Sequence, residues 1–356
     1  MRTLIVNPFG IGDVLFSLPL VRALRATDPE GLLGYLCNRR TADLVASLRE
    51  LDWHRVFEKD EFRAVWKRSK IEGLGCLGQL LREVREKQFD LLIDLSLGWQ
   101  SGFGAILAGI PKRIGFNFRN RGRFLTHALP IQGFHTQSVA EYYLDLLSLL
   151  NIPKPATVQA DFLLPPGIDH QVEEYLRQQR VPPGRRLVGV IPGGGASWGP
   201  NAIYKQWAPD RFAQVADHIA SRHQAQILLF GDSKELPLCQ KVLQAMECKP
   251  RLATEVPSLL LLAGLLRQCA LVVGNDGGAM HLATAVGTKT VSLFGPVDGS
   301  VYGPFPPNLL HRVVTQGFVC QPCYQGFRFP PCPWDNACLK KLEVKPVLEA
   351  VDELMA

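Results

Sequence analysis

In the stretch VVGNDGGAMHLATAVGTKTVSLFGP (272–296) an apolar run ends on Asn-Asp-Gly-Gly, which places Asp276 at the end of a buried strand and Gly277, Gly278 and Ala279 at the opening of a helix. A carboxylate beside the unpaired N–H groups of a helix start suits a polar ligand that carries phosphate. Asp276 can equally be a helix cap, and His281, one turn on, either a ligand contact or a satisfied core histidine. A second stretch, IPGGGASWGPNAIYKQWAPDRF (191–212), follows a strand with Gly193, Gly194 and Gly195 and then Lys205. Three such glycines form either a backbone nest for phosphate, with Lys205 as a mobile cation, or a plain flexible loop. The third is NPFGIGDVLFSLPLVRAL (7–24), where Gly10 and Gly12 allow close packing and Asp13 stands at a helix start, as a cap or as a group facing a ligand. It is no dinucleotide fingerprint, since Leu15 occupies the third glycine position, and the chain has no phosphate-loop lysine motif.

Four of the nine cysteines crowd into CQPCYQGFRFPPCPWDNAC, residues 320–338. Cys320, Cys323, Cys332 and Cys338 put four soft ligands on one short loop, a set that could hold structural zinc or iron. Reduced thiols and disulfides are the alternatives, and a cytoplasmic setting disfavours the latter. The net charge of +6 is unevenly placed: no acidic residue lies between Asp94 and Glu141, a stretch that holds Lys112, Arg113, Arg119, Arg121 and Arg123. Such a cluster is either a solvated loop or a patch for acidic substrates and anionic membrane surfaces. No aromatic-interleaved strand or recognition helix accompanies it, so nucleic acid is not an expected partner.

The elements that position these residues follow from the patterning. At 356 residues and 47% hydrophobic, the chain can bury two cores. No apolar run approaches the roughly 18 residues that cross a bilayer, and TLIVN near the N-terminus reads as a strand, not a signal segment. The expected location is cytoplasmic, with any membrane contact peripheral at the inner face of the cytoplasmic membrane. Strands are expected at 3–7, 32–37, 55–59, 89–95 and 112–116, then at 187–192, 225–231 and the two runs of 272–296, with helices between them. This alternation predicts parallel sheets with crossover helices, an α/β architecture. The Pro-containing segment 151–167 suits a linker between Rossmann-like domains at 1–160 and 161–356.

Taken in order, GIGDVLFSLPLVRALRATDPEG, PGG…KQWAPDRF and GNDGGAMHLATAVGTKTVSLFGP resemble the family 9 glycosyltransferases, the ADP-heptose:lipopolysaccharide heptosyltransferases and their relatives. The resemblance spans essentially the whole chain. It implies a GT-B fold, with an N-terminal acceptor-binding domain and a C-terminal nucleotide-sugar-binding domain facing across a cleft. It implies an inverting transfer of heptose from a nucleoside-diphosphate donor, ADP-heptose above all, to an acidic, lipid-linked saccharide of the lipopolysaccharide-core type. Asp13 would be the general base, and Asp276 and His281 would lie on the donor sugar. The amides of Gly277, Gly278 and Ala279 would hold the phosphates, Lys205 would neutralise the leaving group, and Glu235 would contact the ribose. No Asp-x-Asp occurs, and catalysis is expected to need no metal or other cofactor. One departure is Gly277, where relatives carry Ser or Thr. It keeps open a UDP- or GDP-sugar donor and a non-catalytic relative; a nucleotide-sugar epimerase of the same fold is a separate alternative, one that needs further acid/base groups the sequence does not offer. The amphipathic segment LEVKPVLEAVDELM (342–355) is expected to cross back onto the first domain, as last helices in this fold do, or else to cap its own.

Overall fold

A computed structural model describes residues 1–254 and 256–356, apart from the side chains at 196, 197 and 200. It forms two compact units, Met1–Gln159 and Ala160–Ala356. The first is built on a six-stranded parallel sheet of β1 (Arg2–Asn7), β2 (Leu32–Cys37), β3 (Trp53–Val56), β4 (Leu91–Asp94), β5 (Lys112–Phe118) and β6 (His127–Ile131), in the order β3-β2-β1-β4-β5-β6. The second has β7 (Leu187–Ile191), β8 (Gln226–Gly231), β9 (Arg251–Thr254), β10 (Cys269–Asn275), β11 (Thr290–Leu293) and β12 (His311–Val314), in the order β12-β11-β10-β7-β8-β9. Read from the other edge, the second order repeats the first. Both are doubly wound sheets of the GT-B type, and each reverses direction once, between β1 and β4 and between β7 and β10.

The central strands are covered on both faces, so they read as unbroken apolar runs: Leu4, Ile5 and Val6 in β1, Leu91, Leu92 and Ile93 in β4, Leu187 to Ile191 in β7. Edge strands carry weaker signals. Pro130 sits in β6, where a missing N–H leaves no gap because the strand has a neighbour on one side only. β9 and β12 are likewise edges, bearing Arg251, His311 and Arg312. These three strands, and the helices Lys59–Arg68, Gln100–Leu107 and Val139–Asp145, are additions to the elements expected from the sequence. Lys59, expected in a strand, begins a helix that the Glu58 side chain caps.

The terminal helix Val344–Met355 packs within the second unit. Its stripe of Val347, Val351 and Leu354 is buried in the core of its own unit, with Trp207, Phe212 and Ile219 and with Val291 and Leu293 of β11. Lys289 Nζ donates to the Leu354 carbonyl at 2.7 Å, which holds the end of the helix on the second unit. An amphipathic stripe settles on the apolar surface it can reach, and the Pro209–Arg222 helix and β10–β12 offer one. Among the described residues no helix is long and apolar enough to cross a membrane.

Candidate functional site

The second unit gathers its polar residues at the β7/β10 reversal. Asn275, the last residue of β10, donates to the Pro192 carbonyl at 2.7 Å and accepts from the Trp207 backbone N–H at 3.2 Å. That link ties the strand end to the glycine loop after β7 and to the start of the next helix. Asp276 follows, and the Gly278–Ala285 helix starts with Gly277 as its N-cap. Lys205 Nζ stands 2.5 Å from Asp276 Oδ2, with both side chains only 4% exposed. The approach is an ion pair more than an aligned hydrogen bond, since Oδ2 lacks a partner in bonding geometry. His281 Nε2 is 3.5 Å from Asp276 Oδ1. Burial alone would raise the Asp276 carboxyl; the Lys205 ammonium and His281 outweigh it and hold the carboxyl below its ordinary value.

Lys205 is therefore pinned, where the sequence suggested a mobile cation. Its Nζ also lies 4.4 Å from the Trp198 ring centre. Trp198 in turn packs on Tyr324 at 4.9 Å and Phe329 at 4.8 Å, side chains from the cysteine-bearing segment. Neither contact is visible in local sequence, because the partners are more than 100 residues apart.

Gly194 is required by close approach, since a Cβ there would come within 2.3 Å of the Ala202 carbonyl, whereas one on Gly193 would meet the movable Glu235 carboxylate at 2.0 Å. The Gly195 N–H points at Glu235 Oε1, 3.4 Å away, so the glycine nest holds a carboxylate of this chain. Burial, with Asp232 nearby, raises Glu235 above the usual carboxylate range. The N–H groups of Gly278 and Ala279, in the first turn of their helix, lie next to Asp276.

In the first unit, Asp13 stands at the β1/β4 reversal, in the third position of the Ile11–Thr27 helix, with Gly10 as the N-cap. Its Oδ2 accepts from the Gly10 N–H at 3.3 Å, and its Oδ1 from the Tyr143 hydroxyl at 3.5 Å. The Asn7 amide donates to the Asp13 carbonyl at 3.1 Å and to Tyr35 Oη at 3.0 Å, which locks the turn. Asp13 thus serves the helix start and keeps a tyrosine beside its carboxylate, a partner the sequence did not suggest. At the end of β4, buried Asp94 accepts from the Ser96 N–H at 2.9 Å; burial pushes it up to about 6. The apolar run that Asp94 closes was the signal for it.

The five basic residues do not form one patch. Lys112 borders a surface cavity with Asp28 and Asp90. Arg113 donates to the carbonyls of Phe124, Ile110 and Pro111. Arg119, Arg121 and Arg123 remain exposed in the loop after β5, stacked on Phe118, Trp99 and Phe124 at 4.9–5.8 Å.

Cys320, Cys323, Cys332 and Cys338 are free thiols that line one cavity of about 20 Å³ with Tyr204, Phe329 and Trp334. The Asn336 N–H donates to Cys332 Sγ at 3.3 Å. Burial, and then the neighbouring thiols, raise Cys323 and push Cys338 up to about 11, a pattern that a bound cation reverses. Donor type and convergence fit a soft metal. Closure does not yet match it: among the described residues, the trio whose ligand atoms lie within 4.8 Å of one another is His218, His223 and Asp352.

Two doubly wound parallel sheets, each with a carboxylate at its reversal point, match the GT-B architecture. The profile of glycosyltransferase family 9 (heptosyltransferase) matches residues 77–326, and the chain belongs to that family. Lipopolysaccharide heptosyltransferase 2 of Escherichia coli K12 is 26% identical over 332 residues, which cover 88% of this chain and 86% of the relative. In fold, the family 9 glycosyltransferase of Veillonella parvula superposes with a TM-score of 0.81 at 22% identity, covering 99% of this chain and 97% of that one. The E. coli heptosyltransferase WaaC with ADP-2-deoxy-2-fluoro heptose gives 0.69 at 19% identity, covering 99% of each. The protein is a glycosyltransferase.

Proposed function

We propose that the enzyme transfers a heptose from ADP-heptose to an acidic, lipid-linked saccharide of the lipopolysaccharide-core type, with inversion and without a catalytic metal, at the inner face of the cytoplasmic membrane. The observation that carries this reading is the buried Lys205–Asp276–His281 group beside a helix N-terminus at the β7/β10 reversal. The structural relative WaaC holds ADP-2-deoxy-2-fluoro heptose, an ADP-heptose analogue, which supports the choice of donor.

Asp276 accepts hydrogen bonds from the donor sugar, with His281 orienting it. The amides of Gly277, Gly278 and Ala279 hold the diphosphate, and Lys205 meets the charge that grows on the leaving phosphate. Glu235 and the Gly193–Gly195 loop lie on the ribose side, where a carboxylate that accepts hydroxyl hydrogens suits a ribose better than a phosphate. Asp13 takes the proton of the acceptor hydroxyl as that oxygen attacks the anomeric carbon, the bond to the diphosphate breaks and ADP leaves. Tyr143 and the Gly10 N–H hold the Asp13 carboxylate. Arg119, Arg121 and Arg123 meet the acceptor's acidic groups. The four cysteines hold a structural zinc or iron, with no part in the reaction.

The test couples ADP release to acceptor. Asp13→Asn is expected to lower turnover by about 10²–10⁴-fold while melting temperature and stabilisation by ADP-heptose are retained. Selective stabilisation by UDP or GDP compounds would keep the transfer and discard the heptose. No stabilisation by any of the three would overturn the donor site and bring forward a non-catalytic role.

A further inference from the structure

We propose that the Gln100–Leu107 helix and the residues beside it form a docking face for an anionic bilayer surface. Trp99, Phe103, Ile106 and Leu107 are 38, 40, 42 and 37% exposed. Their spacing puts them on one side of the helix, while Gly102 and Ala105 on the other are buried. Phe124 extends this side, 6.0 Å from Trp99 and 5.2 Å from Phe103 between ring centres. A contiguous apolar face over two helical turns exceeds what scattered surface residues present.

Cations stand at both ends of it. The Arg123 guanidinium lies over Trp99 at 5.3 Å and over Phe124 at 5.0 Å. At the other end the exposed Arg85 donates to the Leu107 carbonyl at 3.1 Å. Arg119 and Arg121 follow in the same loop as Arg123, and no acidic residue occurs between Asp94 and Glu141. Aromatic rings with an apolar body, with an arginine guanidinium over two of them and another at the far end of the helix, match the boundary between headgroups and acyl chains. A single saccharide would stack on one ring and leave the aliphatic Ile106 and Leu107 without a partner. The charge complement selects a surface rich in anionic lipid.

This inference deepens the proposed function, because a lipid-linked acceptor lies in such a surface, yet it is measured without the acceptor. The full chain is floated with vesicles of phosphatidylglycerol and phosphatidylethanolamine, and with phosphatidylcholine alone. Binding to the anionic vesicles is expected, weakened by salt and reduced about tenfold in Phe103→Ser/Ile106→Ser, with the melting temperature retained. The same variant is expected to keep transfer to a delipidated acceptor. Equal binding to both vesicle types, or full binding by the variant, would overturn the docking face. So would a concentration-dependent dimer in sedimentation that the variant abolishes, since a second copy would then be the occupant. If the variant fails to fold, salt dependence of wild-type flotation decides, and insensitivity to salt sinks the proposal. Vesicle binding by a wild type that transfers no sugar would leave the docking face standing and remove the functional reading.

Discussion

Asp276 and Lys205 each depend on the other. Removing one partner of a buried pair leaves an uncompensated charge, and that loss is about 3–5 kcal/mol in general. Asp276→Asn is therefore expected to lower the melting temperature and also to abolish the extra stabilisation that the donor's sugar adds to ADP; calorimetry with and without ligand separates the two effects. The glycines nearby divide sharply. Gly277 has extended backbone (φ 177°), and a Cβ there finds neighbours no closer than 3.7 Å. Gly277→Ser should then fold with a stability change within about 0.5 kcal/mol, and any gain in donor affinity would come from the restored hydroxyl. Gly193→Ala drives a methyl group into the Glu235 carboxylate and is expected to destabilise the loop and weaken nucleotide binding; an unchanged melting curve for it would show that Glu235 swings away freely. At this scale the sequence told much. Asp13, Asp276, Lys205 and the glycines were readable because glycine and acid residues interrupt apolar runs. Their partners were not. Tyr143 lies far along the chain from Asp13, and Tyr324 and Phe329 lie far from Trp198, so only the closed sheets bring them near.

At the scale of elements, the central strands were legible because burial on both faces leaves an unbroken apolar pattern. The edge strands β6, β9 and β12 were not, because solvent on one side admits Pro130, Arg251 and His311. The cysteine loop shows what such gaps hide. Its residues Tyr324 and Phe329 pack on Trp198, Trp198 covers Lys205, and the Cys323 and Tyr324 N–H groups both donate to the Pro296 carbonyl at 3.0 Å, just past β11. The loop thus supports Lys205, the cation paired with Asp276. If the loop holds the proposed metal, Cys323→Ser/Cys332→Ser is expected to purify without it, read by elemental analysis, and to weaken ADP binding about tenfold, the scale on which disturbed supporting contacts act. Metal loss with unchanged ADP affinity would confine the loop to the stability of its own unit.

For the whole molecule, buried carboxyls are shifted both up and down, and each direction has its own pH range. Asp94, in the first unit, is raised from 3.8 to about 6, mainly by burial. Its protonated form is the one the fold favours, so its contribution is fully present below the unfolded value and is lost as pH rises through about 6. Two pH units at about 1.4 kcal/mol each make this a loss of about 3 kcal/mol at neutral pH. In the second unit, Asp276 and Asp352 are lowered, burial being outweighed by Lys205 and His281 in one case and by His218 and His223 in the other. Their contribution is present above the unfolded value and is lost as pH falls through the folded one. Acidification from pH 7 to pH 5 should then stabilise the first unit, while in the second it protonates His311 in the unfolded chain only, since burial holds that imidazole down to about 4, and this opposes the gain from raised Glu235. Calorimetric scans across this range are expected to show a component that rises on acidification, and Asp94→Asn should raise that component at pH 7 and flatten its pH dependence. A wild-type profile that is flat between pH 7 and pH 5 would mean that water reaches Asp94 and leaves its carboxylate charged. The end of β4 would then be an open polar site, not a sealed part of the first unit's core.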